Sequence, residues 1–194
     1  MDNLFFNYKN ENIPEKGCLL VSEPHLPDYN FERSVILLCE HSDEGSFGFV
    51  LNKMAEMSLS GIMSNAKGLD FPVGVGGPVE RNTLHFLHRN NKDLEMSTPI
   101  TDTIFWGGDY EQVTDRLRFG DAAEEDFLFF VGYSGWSSGQ LEEEIANNSW
   151  IVFPKATEQL VFNTRKNILW KEVLNKMGGR FSVYANYPSD PRLN

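Results

Sequence analysis

Gly135-Trp136-Ser137-Ser138-Gly139 carries the G-x-S-x-G spacing that in serine hydrolases lifts a nucleophilic hydroxyl onto a sharp strand-to-helix turn. A hydroxyl attacks only beside a base, and in the α/β-hydrolase order that base is a histidine downstream of the serine. All four histidines, His25, His41, His85 and His88, precede Ser137. Ser137 is instead expected to cap a helix, with Gln140 completing a capping box and backbone amides occupying the hydroxyl. A second constellation pairs Arg33, as an anion anchor, with His41 or Ser134 as the proton-transfer group. These residue types suffice for hydrolase or transferase chemistry on a small molecule if one cleft holds all three. Metal ligands are sparser. Cys39 and His41 share a face if their strand is regular, but two ligands do not make a site. His85 and His88 fall on opposite faces of a strand. With no H-E-x-x-H and no paired C-x-x-C, the histidines read as packing or hydrogen-bonding residues. No metal and no cofactor is expected. Gly74-Val75-Gly76-Gly77-Pro78 lacks the Lys-Ser/Thr of a phosphate loop and precedes a strand rather than a helix.

The elements that would position these residues follow from periodicity and turn chemistry. Strands are expected at 18–22, 34–41, 47–52, 71–75, 84–88, 102–106, 127–132, 150–153 and 181–185, each short, apolar or aromatic, and bounded by turn residues. Ser42-Asp43-Glu44-Gly45 suits a four-residue hairpin connection, a type I turn followed by an αL glycine. Asp109 is an N-cap for a helix carrying Val113 and Leu117 on one face and ending at Gly120. The apolar run Phe127 to Val131 leads into a glycine-rich turn and then a helix with Leu141 and Ile145 inward and Glu142, Glu143 and Glu144 near its positive end. A last helix spans 168–177, with Leu169, Val173 and Met177 aligned and Gly178 at its C-cap. Hairpins interleaved with helices imply a mixed, largely antiparallel sheet with helices packed on it.

Length and charge bound the rest. A chain of 194 residues makes one folded unit, 1–194, with room for a small subdomain inserted in its middle. Its apolar stretches are strand-sized, so no membrane span is expected. Met1 to Phe6 is acidic where a secretory leader is basic, which points to the cytoplasm. Cys18 and Cys39 sit in apolar strand-like runs, as reduced buried thiols do; a single bridge between adjacent strands is the other arrangement. A formal charge of −11 opposes direct nucleic-acid binding, the one basic grouping being Lys155, Arg165, Lys166, Lys171 and Lys176 in the C-terminal third. The acidic blocks 121–126 and 142–144 read as solvated faces.

Taken in order, Gly17-Cys18-Leu19-Leu20-Val21-Ser22, Asp28 to Phe31, Arg33-Ser34-Val35, Glu40-His41, Gly45-Ser46-Phe47-Gly48, Asn52-Lys53, Gly76-Gly77-Pro78-Val79, Gly132 to Glu144, Ser149-Trp150 and the ending Tyr187-Pro188-Ser189-Asp190-Pro191-Arg192-Leu193-Asn194 resemble the YqgE/AlgH family of bacterial proteins over nearly the whole chain. The turn G-W-x-x-G-Q-L-E and the ending P-x-D-P-x-L-N are specific in combination. The resemblance implies an α+β fold, a mixed sheet flanked by helices with a smaller α/β plait subdomain, and it brings no established activity or cofactor. Some relatives are called transcriptional regulators, which in an acidic chain without a DNA-reading helix implies an indirect route through a partner.

The reading that combines these strands is a non-catalytic binding or regulatory protein with an unidentified protein or small-molecule partner. Its surface would comprise Gly132, Gly135, Trp136, Gly139 and Gln140 with Asp28, Arg33 and Ser34 and with Gly76, Gly77 and Pro78. Exposed glycines beside an aromatic ring can receive a peptide or a planar group. The alternatives are that these glycines and Trp136 only solve a packing problem, or that Arg33, His41 and Ser134 form an enzyme's cleft.

Overall fold

A computed structural model describes Tyr8, residues 10–89 and residues 93–188. The N-terminal run Met1 to Phe6 and the last six residues of the ending, Ser189 to Asn194, lie outside these. Among the described residues ten strands form one connected sheet in the order β10-β1-β2-β3-β9-β6-β8-β7, with β5 attached alongside β9 and β4 paired to β5. Their ranges are β1 Leu19–Ser22, β2 Val35–Ser42, β3 Gly45–Val50, β4 Met54–Ser58, β5 Pro72–Val75, β6 Val79–His88, β7 Thr98–Pro99, β8 Phe105–Trp106, β9 Phe127–Ser137 and β10 Trp150–Phe153. The β5–β9 pairing is parallel and the rest are antiparallel. The α-helices are α1 Leu59–Ile62, α2 Tyr110–Phe119, α3 Gln140–Ala146, α4 Leu169–Met177 and α5 Arg180–Tyr184. This is a mixed, largely antiparallel α+β fold.

The long strand β9 is the seam. Its first half lies between β6 and β5, and its second half pairs with β3, Gly48 opposite Ser134 and Gly45 opposite Ser137. Between the halves Gly132 sits at φ 66 and interrupts the two-residue alternation of faces. Leu128 and Phe130 face the main core before it, and Tyr133 faces the same core after it. A Cβ on Gly132 would stand 2.7 Å from the Val79 carbonyl oxygen and 2.8 Å from that of Gly77. Glycine is required both for the dihedral and for the close backbone approach.

Three apolar clusters follow from this bent sheet. The main core gathers Leu19, Val21, Leu37, Phe49, Leu87 and Phe130 beneath α4, whose Leu169, Trp170, Val173 and Leu174 face inward. On the other face of the sheet, Leu20 of β1, Ile36 of β2, Trp136 of β9 and Trp150 of β10 pack under α3 through Leu141. A third cluster, Phe71, Phe86, Phe127 and Phe129, is covered by α1 and α2 through Leu59 and Val113. Each fully buried large side chain here contributes about 1.5–3 kcal/mol relative to exposure.

Several local expectations hold in detail. The Asp109 carboxylate accepts from the backbone N–H groups of Glu111 and Gln112, and Gly120 closes α2 in the left-handed region at φ 75. β10 has the expected bounds, and Gly178 ends α4. Others are corrected. Residues 181–185 are not a strand: α5 occupies Arg180–Tyr184 and follows α4 through Gly178 and Gly179, both at positive φ, so the helix at 168–177 is not the last. Tertiary packing, with Phe181 edge-on to Tyr8 at 5.0 Å, overrides the strand propensity of its aromatic and β-branched residues. The 102–106 strand shrinks to Phe105–Trp106, and β4 has no apolar alternation to announce it. The first hairpin closes over Asp43 and Glu44 alone, Ser42 pairing with Gly45 at φ 141 rather than an αL glycine.

The cysteines are free and lie on opposite faces of the sheet, Cys39 in the main core and Cys18 in the cluster beneath α3, so no bridge between them forms. Among the described residues no helix is long and apolar enough to cross a membrane.

Candidate functional site

The bulge between Leu38 and Glu40 in β2 decides what faces the open end of the main core. Opposed residues of an antiparallel pair share a face, and Glu40 is opposite Phe47 while His41 is opposite Ser46. Cys39 and Glu40 thus both turn toward the main core, and His41 turns to the opposite face, where Ser46 pairs in turn with Trp136. The expected shared face of Cys39 and His41 does not form, because a bulge inserts one residue into the alternation. His41 Nδ1 lies 2.7 Å from Ser46 Oγ, and its Nε2 lies 3.5 Å from a Glu142 carboxylate oxygen.

Where β3, β9 and β6 meet β8, a cleft of about 590 Å3 opens. Phe47, His85, Trp106 and Tyr133 wall it, Val79, Gly135 and Trp136 complete its apolar lining, and Glu40, Ser42, Glu44 and Ser46 form its polar edge. The Phe47 and Trp106 rings are 4.8 Å apart at 62°, and Phe47 and Tyr133 are 6.1 Å apart at 80°. His85 leans on Tyr133 at 5.9 Å and on Phe49 at 5.3 Å, and its Nε2 lies 2.8 Å from Thr83 Oγ1. Burial pushes the His85 pKa down, partly opposed by the Glu80 carboxylate nearby, so the ring is neutral at pH 7. Sequence reasoning did not single out Phe47, Glu40, Trp106 or Tyr133 as a group. They come from four strands, and the detectable signal was only that Phe47 and Tyr133 flank glycines.

The surface expected from sequence is divided by the fold. Gly135 and Trp136 reach the aromatic cleft. Gly77 belongs to a smaller one of about 290 Å3 with Tyr29, Asn30, Glu32, Lys53 and Arg81. There Lys53 Nζ donates to the Tyr29 carbonyl at 2.8 Å and Arg81 to the Asn30 side chain at 2.9 Å. Asp28, exposed, accepts from the Asn30 N–H at 2.7 Å, and Pro78 is exposed at the loop tip. Gly76, Gly77 and Gly132 are buried where the backbone before β6 crosses β9, and a Cβ on Gly76 or Gly77 would collide with the carbonyls of Gly132 or Tyr133. For these three the packing explanation accounts for the residue type.

Trp136 is also a packing residue. It is 6% exposed, meets Trp150 edge-on at 6.0 Å, and donates its indole N–H to Glu144 Oε2 at 2.9 Å. Trp150 donates to the same oxygen at 2.7 Å, and Gln140 Nε2 donates to Glu144 Oε1 at 2.9 Å. Gln140 Oε1 accepts from both the N–H and the hydroxyl of Ser137, each at 3.1 Å. Gly139, at φ 74, is therefore the N-cap of α3, and Ser137 is the last residue of β9 with its hydroxyl given to a side chain, not held by backbone amides. The glycine-rich segment is strand through Ser137; the turn is confined to Ser138 and Gly139.

Arg33, His41 and Ser134 are not gathered in one cleft. Arg33 takes φ 48, stacks its guanidinium over Trp170 at 4.9 Å and donates through Nη2 to the Tyr187 carbonyl at 2.7 Å, with Nε buried and unpartnered among the described residues. It brackets the C-terminal segment to the start of β2, and His41 lies near the other end, roughly 20 Å along the strand. Ser34 is fully buried, its hydroxyl on the Phe31 carbonyl at 2.8 Å. Ser134 is fully buried and donates to the Gly76 carbonyl at 3.0 Å. The remaining histidines are similarly placed in packing, His25 stacked on Tyr187 and His88 bonded to Ser97, and the described residues contain no group of three His, Cys, Asp or Glu able to hold a metal ion. Lys166, one of the basic grouping, donates to the Val161 carbonyl at 2.7 Å, and burial pushes its pKa down to about 8.

Sheet order, bulged seam and cleft together define an α+β protein built around one long shared strand. The chain belongs to the AlgH-like family, whose model matches residues 19–182. A UPF0301 protein of Cytophaga hutchinsonii is 42% identical over 92% of this chain and 98% of its own length, and one of Chlorobaculum parvum is 37% identical over 100% of both. The fold is similar to the crystal structure of a Corynebacterium diphtheriae protein, with a TM-score of 0.75, 22% identity and coverage of 96% and 98% of the two chains. It is also similar to the solution structure of the AlgH protein from Pseudomonas aeruginosa, with a TM-score of 0.71, 24% identity and coverage of 89% and 94%.

Proposed function

We propose that this chain is a non-catalytic binding protein of the cytoplasm that takes a ligand in the aromatic cleft between β3, β9, β6 and β8. The observation that carries the reading is the state of Phe47, Trp106 and Tyr133. All three pack on the main core and remain half-exposed around a space of about 590 Å3. Sites for small organic ligands have this size and this apolar lining with few polar groups. The polar groups that would do chemistry are committed elsewhere: Ser134 to Gly76, Arg33 to Tyr187 and Trp170. Any effect on transcription would then be indirect, through the occupancy of this site or a protein partner that reads it, in keeping with a net charge of −11.

A ligand library followed by two-dimensional NMR tests this. Hits should shift the Trp106 indole signal and the amides of Phe47 and Gly135, and Tyr133→Ala should weaken them while leaving the unfolding midpoint within a few degrees. Hits that map instead to the Tyr29 and Arg81 side, or that survive Tyr133→Ala unchanged, would refute the assignment of the cleft.

A further inference from the structure

The charge around the aromatic cleft says which ligands it can hold. Glu40 stands directly opposite Phe47 on the cleft face of the β2–β3 hairpin, and Glu44 lies at the hairpin's tip. A third carboxylate, Glu80, acts on His85 from the same strand, β6. Among the described residues no lysine or arginine lines the cleft. His85 supplies no countercharge, since burial keeps the ring neutral. Phe47 meets Trp106 at 62° and Tyr133 at 80°, so the three rings do not stack flat on one another but line the cleft as separately oriented aromatic walls. An anion entering here meets carboxylates, and a neutral guest gains only apolar contact. A cation can gain attraction from the aromatic lining and from the carboxylates together.

From this we infer that the cleft is a site for a free organic cation, a substituted or quaternary ammonium carried on a small apolar body, seated against Phe47, Trp106 and Tyr133 with Glu40 as its counter-ion. The inference rests on the cleft being the binding site and adds the charge of its occupant. A free ligand matches a recess of about 590 Å3, a volume typical of small-molecule sites.

The test uses an isosteric pair, choline and 3,3-dimethylbutan-1-ol, which differ in charge but hardly in shape. Each is titrated into the full chain at low ionic strength while the Trp106 indole signal is followed by NMR. Choline should bind at least about tenfold more tightly than the neutral alcohol. Glu40→Gln should weaken choline several-fold and leave the alcohol unchanged, a difference that a merely structural role for Glu40 would not produce. Trp106→Leu, which keeps apolar bulk on β8, should lose the preference for choline; an unfolding midpoint near that of the parent certifies that variant. Equal binding of the pair overturns the cationic assignment while leaving the cleft as the site. No shift of Trp106 by choline also overturns it, and the wider library then judges the cleft independently. A third arm titrates a short acetylated peptide carrying one trimethyllysine. Binding much tighter than choline would show that the cation comes on a protein chain, and would overturn the free-ligand assignment.

Discussion

Removing the Glu144 carboxylate tests whether Trp136 serves the fold. Glu144 accepts the indole N–H groups of Trp136 and Trp150 on one oxygen and the Gln140 amide on the other, at 2.9, 2.7 and 2.9 Å. The two indoles are 6% and 1% exposed, so water cannot freely replace the lost acceptor. A buried donor left without a partner costs about 1–3 kcal/mol, so Glu144→Ala should destabilise the chain by about 2–5 kcal/mol. Glu144→Gln retains one carbonyl oxygen for the indoles but turns its amide nitrogen toward the Gln140 donor, and should cost about 1–2 kcal/mol. Glu143→Ala, on the exposed side of α3, should stay within about 0.5 kcal/mol of the parent. Urea unfolding followed by tryptophan fluorescence measures all three, with a midpoint shift of about 1–2.5 M for Glu144→Ala given a slope near 2 kcal/mol per molar. Should Glu144→Ala fall within 0.5 kcal/mol of the parent, or Glu144→Gln cost more than Glu144→Ala, the carboxylate is not the clamp described.

Gly132→Ala places a Cβ against two carbonyl oxygens at a positive φ and should cost at least about 3 kcal/mol, read as lost soluble expression or a sharply lower urea midpoint. His88 is fully buried with Nδ1 unpartnered among the described residues, and burial pushes its pKa down to about 4. Its folded pKa lies below the unfolded value, so its contribution is fully present above about pH 6.5 and is lost as pH falls toward 4, by at most about 3 kcal/mol. His88→Phe, which keeps the stacking on Phe105 and Phe127, should flatten that part of the stability-versus-pH curve; an unchanged slope would refute the assignment. Burial pushes the Cys18 thiol up to about 11 and raises Cys39 further, so a thiol-directed chromogenic reagent should titrate neither in the native protein and both in denaturant. With net charge −11 the chain should not bind duplex DNA at low or moderate salt; fluorescence anisotropy showing micromolar, salt-sensitive association would contradict this, and reversal at Arg165 should then abolish it.

How much could be read in advance depended on whether the signal was local. Asp109 with Gly120 announced both ends of α2, because a cap and an αL glycine are properties of a few adjacent residues. Strands β1 and β10 and the first five residues of β2 were legible because they are mostly apolar on both faces, and both faces prove largely covered. Residues 181–185 were not, because two preceding glycines and the contact with Tyr8 set their conformation, against their own propensity. The glycine-rich stretch was recognised as special but taken for a turn, since a glycine needed for a bulge and one needed for a reversal look alike in sequence.

Composition, charge and spacing by themselves pointed to an acidic, mixed-sheet protein, the run of motifs from Gly17 to Asn194 carried its resemblance to the YqgE/AlgH family, and the position of every histidine upstream of Ser137 told against the hydrolase reading. They could not determine which residues meet. A bulge at Cys39 in β2 and the positive-φ break at Gly132 in β9 did that, each reversing the faces that follow. One turns His41 away from Cys39 and brings Glu40 across from Phe47; the other buries Trp136 and turns Tyr133 into the cleft. A one-residue insertion in a period of two exchanges inside for outside, and pairing across the sheet, which the sequence does not display, decides where that insertion is accommodated.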